Sequence, residues 1–253
     1  MTATTIDEVI AQLDQIIDTE CANNSCMAYF PILYRKVTLR IKEGILNNEF
    51  ENNQRMERLD VLFANRYINA YECLDNNKPL TQSWKKAFEA TKNQNLLIMQ
   101  HLLLGINAHI NLDLGIAVAE TVGDNGELMD FENDFNKINA ILGSMIANVE
   151  AKIISVSPLF GLLDKFGKGR EDKLVSFSIN IARDGAWLFA NQYHSSPNKT
   201  IELNSRDTII ATLAGKLITQ KSWVVKYLVK TIYFFEKKNV AQIITVLKTD
   251  LSI

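Results

Sequence analysis

One stretch limits what this chain can fold into. Ile98 to Glu120, read IMQHLLLGINAHINLDLGIAVAE, is too apolar for a surface and carries too many polar groups to sit dry without partners. His101 and His109 are two of the three histidines in 253 residues, and Asn107, Asn111 and Asp113 lie among leucines and isoleucines. An unpaired polar group costs about 1–3 kcal/mol when buried. The segment therefore predicts a central helix, buried from Leu97 to Val118, whose polar side chains either satisfy one another or face a site. Gln100, His101, Asn107 and His109 interrupt its apolar runs, which argues against a transmembrane span of about 20 residues.

The rest of the chain has to wrap this helix. Prolines number 4 and glycines 11, and apolar residues recur at spacings of three and four almost throughout. That periodicity predicts an all-α, single-domain bundle of roughly eight to ten helices around the central one. Residues 1–50 form N-terminal helices packing on a core of 54–253. Helices are expected at Thr5–Thr19, where Thr5 and Glu8 have capping-box spacing, Pro31–Leu46, Gln54–Leu74, Thr81–Thr91 and Gln94–Val122. Others follow at Asp130–Ser155, Leu159–Phe166, Asp172–Tyr193, Arg206–Ile218, Ser222–Glu236 and Val240–Lys248. Gly105 and Gly115 fall inside the central helix, where glycine costs about 1 kcal/mol relative to alanine, so a bend or break is expected near Gly105 to Asn107. Trp84 and Phe88, four apart, read as core packing.

Composition narrows the function. With 27 basic and 29 acidic residues the formal charge is −2, and nothing favours nucleic acid or an anionic membrane. Lysines become denser after Lys216, which reads as a solvated helix face. MTATTIDEVI lacks a basic leader followed by an apolar core, so a cytoplasmic protein is expected. Cys21, Cys26 and Cys73 show no zinc-ligand spacing and read as reduced structural thiols.

Several motifs resemble a family of bacterial and fungal proteins catalogued as a domain of unknown function. They are FANRYINAY (63–71), HLLLGINAHINLDLGIA (101–117), DFNKIN (134–139), SPLFGLLD (157–164) and ARDGAW (182–187), and the likeness runs from about Met56 onward. The resemblance implies a helical fold and directs attention to the central helix. It implies no mechanism.

The site is expected to be a pocket lined by His101, Asn107, His109, Asn111, Asp113 and Asp134, taking a small or lipid-like molecule. His109 and Asp113, four apart, share one helix face and could bind one ion. Imidazole with carboxylate suits zinc, iron or manganese. Further ligands must then come from other helices, with Asp134 the best placed and Asp130 and Asp184 behind it. His101 lies about 12 Å along the axis from His109, and Glu120 about 16 Å, too far for a shared ion in a straight helix. Arg66 and Arg183 could hold a carboxylate or phosphate in the same cavity. Their alternatives are salt bridges, Arg66 to Asp60 or Glu72 and Arg183 to Asp184, or stacking of Arg183 on Trp187.

The reading is an enzyme, with hydrolysis by a metal-activated water preferred if a metal binds. The rivals are a noncatalytic binding or scaffold protein whose polar groups form a closed network, and an isoprenoid-type cyclase or lyase. HExxH, GxSxG, P-loop and DDxxD motifs are absent, and MDFENDF, with Asp130 and Asp134 four apart, only approximates the last.

Overall fold

The computed structural model describes residues 2–124, 126–167, 174 and 177–249. It is all-α, with no strand among the described residues. Helices α1 (Ile6–Ala22), α2 (Tyr29–Leu46), α3 (Asn53–Asp75) and α4 (Gln82–Ala90) precede the central rod. The rod is α5 (Ile98–Ala108), a π-helical segment (His109–Leu114) and α6 (Gly115–Val122). Helices α7 (Glu132–Val156), α8 (Gly161–Gly167), α9 (Ile179–Ser195), α10 (Lys199–Ile218), α11 (Trp223–Phe235) and α12 (Val240–Lys248) follow.

The first three helices end alike, on asparagine doublets. Asn24, Asn48 and Asn77 take φ of 49°, 55° and 54°, the left-handed conformation that asparagine tolerates better than most residues. Each sits one place past a helix cap, and the following N–H reaches back to close the last turn: Ser25 to Glu20, Glu49 to Gly44 and Lys78 to Cys73. Thr5 caps α1 by accepting the Glu8 N–H, while the Glu8 carboxylate accepts from Thr4 rather than Thr5.

Other helix starts are capped from far away. Asp134 accepts the N–H groups of Glu51 and Asn52 at the start of α3, Asp207 those of Gln82 and Ser83 at α4, and Glu236 that of Ile98 at α5. A carboxylate is favoured at the positive end of a helix dipole, so these acids pin the bundle's register. The Asp172–Tyr193 expectation shortens at its start to Ile179–Ser195, and Asp172 lies outside the described residues. Helix α10 begins seven residues before Arg206, at Lys199, because Asn198 caps it by accepting the Ile201 N–H.

The rod runs unbroken over 25 residues, Ile98–Val122, and is long and apolar enough by length and composition to cross a membrane. Other helices cover it: 89% of its most apolar window is buried inside the protein. The expected break near Gly105 does not occur. Both glycines serve close packing instead, since a Cβ on Gly105 would stand 2.6 Å from the Phe30 ring of α2, and one on Gly115 2.8 Å from the Ala186 carbonyl of α9. The irregularity falls between them, in the π-helical turn at His109–Leu114.

Candidate functional site

The π-helical turn carries the candidate site. Asp113 is 1% exposed, and three groups converge on its carboxylate. Arg66 Nε of α3 donates to Oδ1 at 2.9 Å, Trp84 Nε1 of α4 donates to Oδ2 at 2.8 Å, and His109 Nδ1 lies 3.3 Å from Oδ2. Burial alone pushes a carboxyl's pKa up, but the Arg66 charge, then the His109 and Trp84 hydrogen bonds, hold Asp113 below the usual range. It is an anion at neutral pH. Its bond to His109 therefore places the ring proton on Nδ1 and leaves Nε2 a bare acceptor.

His109 is equally buried, and its ring is fixed on both sides. It stacks on Phe63, centroids 3.6 Å apart and 8° from parallel, and meets Tyr34 edge-on at 4.5 Å. Burial pulls its pKa below the ordinary value, against the raising effect of Asp113. Nε2 makes no hydrogen bond.

His109 lines a cavity of about 440 Å³, within the range of about 300–1,000 Å³ typical of small-molecule sites. Its wall comes from α2, α3, α5 and α7 and is mostly apolar, including Phe30, Leu59, Leu103, Ile138 and Phe177. Asp113 does not line it, so His109 is the dyad's edge toward the space. Tyr34 and Asp60 line it as well. Burial, and the nearby Glu57 charge, push the Asp60 carboxyl up to about 8, so it is protonated at neutral pH. Its Oδ2 has no hydrogen-bond partner. Burial first, then the Asp60 charge, raises the Tyr34 phenol well above its ordinary value, and its hydroxyl lies by Thr38 without closing a hydrogen bond. One cavity thus presents a neutral base and two neutral acids.

The expected residues do not all meet here. Asn107 donates to the Ile210 carbonyl and accepts from Asn111, whose own carbonyl accepts from Arg206 Nε, so both asparagines key the rod to α10. His101, one end of the expected pocket, packs edge-on against Tyr29 at 6.2 Å and does not line the cavity; burial lowers its pKa to about 4. Asp134 is engaged at the start of α3, where Arg55 also donates to it at 3.1 Å. Asp130 and Asp184 are exposed. The metal set His109, Asp113 and Asp134 is therefore not brought together, and no trio of His, Cys, Asp or Glu among the described residues is placed to hold an ion.

Arg66 pairs with Asp113 rather than with Asp60 or Glu72. Arg183 lines the cavity, but its guanidinium donates to the Phe135 carbonyl and lies 4.5 Å over the Phe135 ring, and Trp187 packs against that same ring at 4.8 Å. Tyr34 is not among the expected site residues, while the sequence reads Trp84 as core packing and Asp60 only as an alternative partner of Arg66. Asp60 sits one helical turn before Ala64 on a helix whose other acids are exposed or half-buried, and only its burial distinguishes it.

A model for a family of unknown function (DUF5995) matches residues 6–220. The chain belongs to that family. The match starts well before Met56, taking in α1 and α2 with the cavity's Tyr34, and ends before α11 and α12. No curated protein and no solved structure matches the chain.

Proposed function

We propose that this member of the DUF5995 family is an enzyme that moves a proton on a small, largely apolar carbonyl compound held in the cavity. His109 is the base, Asp113 its orienting partner, and Asp60 and Tyr34 the donors that meet the carbonyl oxygen. The observation that carries this is the pairing, in one apolar cavity, of a His whose bare Nε2 is unpartnered with an Asp kept neutral near pH 7. Groups whose surroundings push their pKa values apart are the mark of an acid and base pair.

In the proposed step Nε2 takes a proton from the carbon beside the carbonyl. The C–H electron pair moves into the new carbon–carbon double bond, and the carbonyl π pair onto oxygen, where Asp60 and Tyr34 donate to it. Returning a proton to the same or a conjugated carbon restores a carbonyl product, so the net reaction is exchange or isomerisation and needs no co-reactant. Neutral donors in a dry site stabilise such an oxyanion strongly. Arg66 keeps Asp113 ionised and the imidazole in the required tautomer, as orienting carboxylates do. Among the described residues no ligand set is assembled that would support metal-activated hydrolysis.

The test is α-proton exchange. A panel of apolar cyclic and aromatic ketones is incubated with the protein in deuterium oxide and followed by proton NMR. The reading requires exchange by the parent chain that is lost in His109→Phe and cut at least tenfold in Asp60→Asn. Ketones that bind without exchanging would favour a noncatalytic carrier, and exchange untouched by His109→Phe would remove His109 from the chemistry.

A further inference from the structure

Helix α11 and its neighbour α8 show a surface that the cavity does not explain. Val225, Leu228, Val229 and Ile232 bury one face of α11, while Trp223 is 79% exposed, Tyr227 68% and Phe234 78%. These three, with Lys230, fall on a single stripe of the helix, since steps of four, three and four residues return to nearly the same direction. Phe235 beside the stripe and Phe166 on α8, which packs against α11, are exposed too. Contiguous aromatic exposure of this kind marks a surface that meets something.

Charge says what. Residues 216–238 hold six lysines, at 216, 221, 226, 230, 237 and 238, and a single acid, Glu236, in a chain whose net charge is −2. Glu236 is buried and points its carboxylate at the start of α5, so it neutralises nothing on this face. Lys226, Lys230 and Lys237 are exposed and take part in no ion pair among the described residues. Protein interfaces are depleted in lysine. Tryptophan, tyrosine and lysine side by side instead suit the headgroup region of a bilayer, where rings sit at the interface and lysines are drawn to an anionic surface.

We infer that the exposed face of α11, with Phe166 of α8, docks on the surface of an anionic phospholipid bilayer. Helix α11 lies beyond the residues matched by the family model, whereas α8 lies within them. Phe160, which lines the cavity, directly precedes α8, the helix packed against α11. The docking stands whether or not the cavity turns over a substrate.

Vesicle flotation with the full chain tests it. The expected result is flotation with phosphatidylcholine vesicles containing about one-third phosphatidylserine, at least tenfold weaker with phosphatidylcholine alone and falling as salt screens the lysines. Trp223→Ala with Phe234→Ala, and separately Lys226→Glu with Lys230→Glu, should each lose at least tenfold in vesicle affinity. All four side chains are exposed, so thermal unfolding should not change and a lost affinity cannot be put down to misfolding. No flotation with the anionic vesicles, or equal flotation with both compositions, overturns the inference. So does a dimer in light scattering that Trp223→Ala dissolves, which would assign the face to a second copy of the chain.

Discussion

Asn107 with Asn111 and His109 with Asp113 are two polar pairs of identical spacing on one buried rod, and the bundle treats them oppositely. The asparagine pair closes on itself and on α10: every contact described for it ends at a backbone carbonyl, a neighbouring amide or the Arg206 guanidinium. The histidine pair is closed on one side only, by Arg66 and Trp84, and leaves Nε2 without a partner where the ring meets a cavity. A buried polar group left unsatisfied costs stability, so the difference separates a register device from a site. It also predicts how each pair responds to being broken.

The largest effect should come from Asp113→Asn. The amide keeps the shape but strips the partly buried Arg66 of its counter-charge, and removing one partner of a buried pair costs about 3–5 kcal/mol. Urea unfolding measures this directly. A cost under about 1 kcal/mol would mean that Arg66 finds water when Asp113 is neutral.

On the other edge, Asn107→Ala leaves the Ile210 carbonyl and the Asn111 amide without their partner, at a cost of about 1–3 kcal/mol. Ligand binding in the cavity should not change. An altered ketone affinity, read by titration calorimetry at a temperature where the variant is folded, would show that the two edges are coupled after all.

Asp60 responds with the opposite sign. Its pKa is near 8 in the folded chain against an ordinary value of 3.8, so between those values the unfolded chain gives up the proton that the folded chain keeps. Stability is therefore lost as pH rises from about 4 to 8. Asp60→Asn removes this dependence and should be the more stable protein at pH 8, by at least about 1 kcal/mol, with the advantage disappearing below pH 4. Thermal melts of both proteins across that range check it. A variant that is less stable than the parent at pH 8 would show that Asp60 ionises without penalty and is no donor.

The smallest effect on stability is expected from His109→Phe. Asp113 keeps Arg66 and Trp84, and the new ring can stack on Phe63 as the old one did, so the cost is about one hydrogen bond, roughly 1 kcal/mol. Proton exchange should nevertheless vanish.

What could be read from the sequence was what local periodicity controls. The helices follow from apolar spacing: Thr81 and Ser222 stand as N-caps at the expected starts of α4 and α11, and α12 begins at the expected Val240. The asparagine doublets fall between the expected helices, although their left-handed caps appear only in the backbone. The density of polar groups in the central stretch did point to the right segment. The four-residue spacing puts His109 and Asp113 on one face, where they do meet, but it could not give their partners, because Arg66 and Trp84 are brought in by tertiary packing and the π-helical turn at His109–Leu114 has no signature in residue type. Asp134 misled because a carboxylate that caps a distant helix looks, in sequence, like a free ligand. Asp60 was missed for the converse reason: nothing in its neighbours reveals that water does not reach it.

The protonation of His109 is the most direct test of its role as the base. With only three histidines in the chain, substituting His101 and His194 in turn assigns the ring signals of His109 in long-range proton–nitrogen NMR spectra. The expected result is a neutral ring at pH 7 with its proton on Nδ1 and a bare Nε2, titrating below the ordinary value of 6.5. A ring protonated on Nε2, or one that is already charged at pH 7, would contradict that role, because no base would then face the cavity.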